Sequence, residues 1–214
     1  MVTHPPDASA GWSARDFRGG HPALDFANTV GWRRSERPIE FLADYADLVA
    51  WCEAAGLLTA GEARRLARTA GARPAEAAAV LARAQALRTT IHLVFAALAA
   101  GKTPARAALA ELSRWSAEAG TRRRLAVADG SVVWAWTAGP REVDRMLWPL
   151  AWAAAELLTD SSRRAVRECA GDSCGWLFID ASNSGRRRWC SMSDCGNRAK
   201  VRRHRHRQRR VADA

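Results

Sequence analysis

Cys169-Ala-Gly-Asp-Ser-Cys174-Gly-Trp-Leu-Phe-Ile-Asp-Ala-Ser-Asn-Ser-Gly-Arg-Arg-Arg-Trp-Cys190-Ser-Met-Ser-Asp-Cys195 holds four of the five cysteines of a 214-residue chain. They fall as two Cys-x4-Cys pairs with fifteen residues between them. Close spacing lets one tight turn bring both sulfurs of a pair to the same ion, and four thiolates suit tetrahedral zinc. Gly171 and Gly175 supply backbone freedom in the first turn. Between the pairs, Trp176 to Asp180 reads as an apolar strand, Asn183-Ser184-Gly185 as a turn and Arg186 to Trp189 as a return strand. A helix is expected from Gly196 toward Arg210. Knuckle, hairpin, second knuckle and helix together make a treble-clef module. A closed four-cysteine shell makes the single Zn2+ structural, with no position for a catalytic water. The alternative is two disulfides. No secretory h-region precedes the body, and grouped cysteines in a reducing cytoplasm point to metal. Cys52 stands apart at an apolar helical position and reads as a small core hydrophobe.

Charge singles out the same end. The chain carries +11 overall; residues 163–210 hold 14 Lys+Arg against 4 Asp+Glu, and the remainder holds 19 against 18. A near-neutral body with a cationic end points to a polyanion partner, and nucleic-acid phosphate is the commonest one. The cations available for it are Arg186, Arg187, Arg188, Arg198, Lys200, Arg202, Arg203, Arg205 and Arg207. Some of them have a competing task, because Zn2+ with four thiolates has formal charge −2 and neighbouring guanidiniums can shield the sulfurs. The residue types do not distinguish DNA from RNA, since Arg binds phosphate without discrimination. Ala199 and Val201 are the positions of this helix suited to packing under the zinc hairpin.

The body, residues 20–162, reads as mainly helical. Pro38 opens a first helix with Phe41, Leu42, Tyr45, Leu48, Val49 and Cys52 at helical spacing. Thr59 and Glu62 form a capping box for a second, Pro74 starts a long third ending at Gly101, and Thr103-Pro104 starts a fourth. Two alternating runs around Asp129-Gly130 predict a β-hairpin over residues 125–136, with the Trp134 and Trp136 face toward the core. Pro140 starts a last body helix, with Pro149 a candidate kink. Residues 24–30 are expected as a strand that could join the hairpin. Residues 1–19 read as a flexible arm, residues 20–162 as the body and residues 163–210 as the finger. The fold class is therefore α+β: a helical body with a small antiparallel sheet, then a treble-clef-like zinc finger. No apolar run is long enough for a membrane span, which needs about 18 residues.

Cys174-Gly-Trp-Leu-Phe-Ile-Asp180, Arg187-Arg-Trp-Cys190-Ser-Met192 and Cys195-Gly-Asn-Arg-Ala-Lys-Val-Arg-Arg-His204 closely resemble the CGNR zinc-finger family. Leu24-Asp-Phe-Ala-Asn-Thr29, after Gly19-Gly20, resembles the opening of the ABATE domain that precedes that finger. The resemblance implies a bacterial stress-induced transcription regulator, and it places the zinc ligands on the same four cysteines. It gives Asn197 a hydrogen-bonding role at the helix start.

Asp25 and Asn28 lie inside an apolar segment and form a candidate effector pocket; the local alternative is that they serve nearby backbone groups. His92 reads as a satisfied core histidine. No phosphate loop, nucleophile elbow or metalloprotease pattern is present, so no enzyme is expected. The sequence thus predicts a cytoplasmic DNA-binding regulator. RNA binding, or a zinc-stabilised protein-interaction or homodimerisation module, are the alternatives.

Overall fold

Proline sets the first element and overturns the expected strand. Pro22 at the first turn and His21 as N-cap start helix α1, Pro22–Ala27. Its five residues Ala23 to Ala27 are all buried, so neither a helical nor a strand period was visible in the sequence. The computed structural model describes residues 11–13, 16–137, 139, 142–160 and 166–212, and only the backbone at 206, 207 and 209–212. Pro140, Arg163 and the side chain of Arg207 lie outside the described residues.

After α1 the chain makes a minimal antiparallel pair, β1 (Val30–Gly31) with β2 (Ile39–Glu40). The helix expected from Pro38 therefore starts later, as α2 (Tyr45–Ala54), capped by the reciprocal pair Asp44 and Asp47. Helix α3 (Ala60–Ala72) has the expected Thr59–Glu62 box. Helix α4 (Pro74–Ala99) is the central post: Ala77, Val80, Ala84, Leu87, Ile91 and Val94 form one buried stripe. Helix α5 (Arg106–Gly120) follows.

The hairpin forms as β3 (Arg123–Ala128) and β4 (Ser131–Trp136). Asp129 and Gly130 both have positive φ, 50° and 73°, as a type I′ turn requires. Its expected core face is instead largely exposed, Trp134 included, because only the base of the hairpin reaches the body, through Trp136. It does not pair with residues 24–30.

Helix α6 (Leu147–Thr159) begins seven residues after Pro140. Val143 and Met146 are still buried, from the turn before it. Pro149 sits in the first turn, where its missing N–H costs nothing. No helix among the described residues is long and apolar enough to cross a membrane.

Strand β5 (Val166–Glu168) pairs with β6 (Leu177–Ile179) around the first knuckle. The partner of β6 is thus the segment before Cys169; residues 186–189 form no strand. A π-helical turn, Met192–Gly196, leads into helix α7 (Asn197–Ala212).

Strand alternation lets β6 serve two cores. Leu177 and Ile179 point into the body, where Leu177 is fully buried, while Phe178 points into the cysteine cluster. The described end of the expected arm is also docked. Trp12 and Phe17 pack on the core, with ring centroids 6.3 Å between Trp12 and Phe41 and 5.9 Å between Phe17 and Trp51. Two isolated aromatics show no period, so this docking has no signal in the sequence.

Candidate metal centre and nucleic-acid interface

Two knuckles bring the four cysteines together. In the first, the Cys174 N–H donates to the Gly171 carbonyl at 3.0 Å. A Cβ on Gly171 would stand 3.3 Å from the Cys195 sulfur, so the turn is tight there. In the second, the Ser191 hydroxyl accepts from the Asp194 N–H at 3.3 Å and caps the turn. The side chain of Asn197, expected in that role, is exposed and makes no hydrogen bond among the described residues.

The donor atoms fit zinc. All four sulfurs are buried and lie within 4.8 Å of one another. The Cys174–Cys190 and Cys190–Cys195 sulfurs are 3.7 Å apart. A tetrahedron with Zn–S bonds of ~2.3 Å has edges of about 3.8 Å. Mutual hydrogen bonding draws the Cys169 thiol far below its usual range and pushes that of Cys190 far above it. One divalent cation resolves this conflict by taking all four as thiolates. The Cys190 N–H reaches the Cys169 sulfur at 3.3 Å, and Arg198 reaches the Cys195 sulfur at 3.5 Å. Such donors stabilise thiolate charge. Cys169, Cys174, Cys190 and Cys195 hold one structural Zn2+, whose binding supplies folding energy to the module.

The cations around this centre divide into two groups. Arg187 is half-buried, lies 4.3 Å over the Phe178 ring and donates to the carbonyls of Trp189 and Cys190. Arg198 shields a sulfur and lies 5.8 Å from the Trp32 ring. Arg202 pairs with Asp172 at 2.6 Å. These three hold the finger together. Arg186, Lys200, Arg203 and Arg205 are exposed and make no ion pair among the described residues; Arg188 is exposed and stacks 5.1 Å over Trp189. Two of these, Arg188 and Arg203, line a shallow groove together with Ala170, Trp189, Ala199 and the paired Arg202. Val201, expected under the hairpin, is half-exposed instead.

Asp25 and Asn28 lie where the body meets the finger. Asp25 accepts from the Gly19 N–H at 2.6 Å; burial pushes its carboxyl up to about 6, against backbone N–H bonds that pull it down. The Asn28 amide donates to the Leu177 carbonyl and accepts from the Leu177 N–H, each at 2.8 Å. Both side chains are thus occupied by backbone groups, and the partner of Asn28 is 149 residues away.

Further bonds cross the same boundary, and none was signalled by the sequence. Trp176 Nε1 donates to the Val30 carbonyl at 2.9 Å. The N–H groups of Arg33 and Arg34 donate to the carbonyls of Cys174 and Ser173, and Arg34 pairs with Glu168. Trp32, at φ 45°, turns the chain into that position. Arg18 pairs with Asp194. Within the body, Arg88 is 5% exposed and grips Glu40 at 2.5 Å and 2.6 Å, locking β2 onto α4.

His92 makes a body–finger bond with a pH signature. Its Nε2 lies 3.0 Å from the Gly175 carbonyl, and burial, with Arg33 adding repulsion, lowers its pKa to about 4. Neutral His92 donates there. Its folded value lies below the ordinary 6.5, so on acidification the unfolded chain takes up the proton first. The contribution is intact above pH 6.5 and lost between 6.5 and about 4. Urea midpoints at neutral and mildly acidic pH should fall further for the wild-type chain than for His92→Gln. Both proteins share the acid loss of thiolate ligands, so an equal fall in the two would remove His92 from the account.

Residues 20–161, about two thirds of the chain, match the ABATE family model, described as "Putative stress-induced transcription regulator". The chain therefore belongs to the ABATE family. Residues 165–208 match the CGNR zinc finger. No curated protein matches the chain.

Proposed function

We propose that this ABATE-family chain is a cytoplasmic, non-enzymatic regulator that binds DNA through its zinc finger. The phosphate backbone would be held by Arg186, Arg188, Lys200, Arg203 and Arg205, with Arg207 continuing the run along α7. The observation that carries this reading is the division of the cations. Arg187, Arg198 and Arg202 are used inside the finger, while five neighbouring side chains are exposed, without ion pairs among the described residues. A purely structural arginine excess would be consumed by the thiolates and by Asp172. The zinc supports the reading indirectly, by fixing the angle at which α7 leaves the second knuckle.

Direct base recognition is no part of the proposal, because nothing singles out a base-edge contact. Binding of the zinc-loaded protein to duplex DNA should weaken steeply with salt, since each phosphate contact contributes a log–log slope of about −0.9. Replacing Arg188, Lys200, Arg203 and Arg205 together by Gln should flatten that slope by about three to four and leave zinc content unchanged. An affinity that salt does not move would sink the phosphate model. Preference for structured RNA in direct competition would transfer the reading to RNA.

A further inference from the structure

The β3–β4 hairpin exposes an apolar face that the body does not cover. In the register of the pair, Leu125 opposes Trp134 and Val127 opposes Val132, so these four side chains share one face. They are 62%, 58%, 77% and 69% exposed. That leaves on the order of 500 Å² of side chain, near the top of the range for the largest patch on a monomer. A two-stranded hairpin is marginal in water by itself, and this one touches the body only near its base.

We propose that this face pairs with the same face of a second copy of the chain, making the protein a homodimer joined by its hairpins. Two features select that occupant. The first is area: two such faces remove about 1,000 Å² from water, the lower bound for a specific interface. The second is charge. The one charged side chain on the face, Arg123, lies over the rings of Trp134 and Trp152 at 4.6 Å and 4.3 Å and is 3.9 Å from Glu156. Arg122 is paired with Glu142, and Arg124 belongs to the opposite face. The face therefore lacks the free cations that would draw an acidic peptide or an anionic lipid surface. It is a place where two copies can meet without bringing free cations into contact, the excess charge lying in residues 163–210. A two-fold axis makes such a patch its own complement.

The test is the mass of the full-length, zinc-loaded chain in solution at tens of micromolar, by light scattering or sedimentation equilibrium. The expected result is twice 23.4 kDa. Val127→Asp should give the monomer mass, with zinc content and helical circular dichroism unchanged. Val132→Lys, on the other strand, provides the same test should the first variant fail to fold. A wild-type chain that stays monomeric overturns the proposal, as does a dimer that survives both substitutions. A monomer that floats with anionic vesicles would overturn it in favour of a lipid surface. DNA binding does not enter the measurement, so this proposal and the nucleic-acid reading fail separately.

Discussion

Removing the zinc is expected to destabilise the whole chain as well as the finger. In a chelated protein, or in Cys190→Ser, the second knuckle loses its anchor and the first loses the ion that holds its turn. The consequences pass through β6. Leu177 is fully buried in the body core, the Ile179 N–H donates to the Gly19 carbonyl at 2.8 Å, and Gly175 is held by His92. If the module frays, Leu177 leaves a cavity among body side chains, a loss worth about 2–5 kcal/mol. The melting temperature should then fall by on the order of 10 °C. The amides of Arg33 and Arg34 should exchange faster, because their acceptors, the carbonyls of Cys174 and Ser173, lie on the finger. The measurement is thermal unfolding with and without chelator, with hydrogen exchange resolved by segment. An unchanged body transition, with only finger amides losing protection, would show that the two units are energetically independent.

The division of the sequence into a body and a finger rests on local devices, and the joint between them is not among these. The cysteine pairs, the Thr59–Glu62 box and Asp129-Gly130 were legible because each is a local device whose geometry is fixed within a few residues. Long-range partners have no local signature. Glu168 and Val166 pair with β6 across the knuckle, so the nearer candidate strand, residues 186–189, was the wrong one. Arg88 shows no reason in the sequence to be buried until Glu40 is brought to it. The start of α2 was misplaced because Pro38 is a generic helix opener, whereas the actual cap uses Asp47 in place of the usual Glu or Gln. The arginines were legible as a charge and not as individuals. Only the positions of Phe178, Asp172 and the Cys195 sulfur separate structural guanidiniums from free ones.

Asn28→Ala is expected to be among the most damaging single substitutions outside the cysteines. The amide acts as a short piece of β-ladder: it satisfies both the N–H and the carbonyl of Leu177, a residue with no exposure to water. Truncation leaves two buried backbone groups without partners, at about 1–3 kcal/mol each. The loss should lower the melting temperature by roughly 10 °C. Asn28→Asp retains the acceptor for the N–H but turns a carboxylate oxygen toward the Leu177 carbonyl, so it should not rescue. The substitution also tests the coupling from the opposite direction to chelation. Whatever free energy zinc lends the body through this joint, an intact joint must lend to zinc retention. The variant should therefore surrender its metal to a competing chelator more readily than the wild-type chain, although residue 28 is no ligand. If Asn28 were there to line an effector pocket, Asn28→Ala would leave stability and zinc retention near wild type. Measuring both on the same protein distinguishes a joint from a pocket.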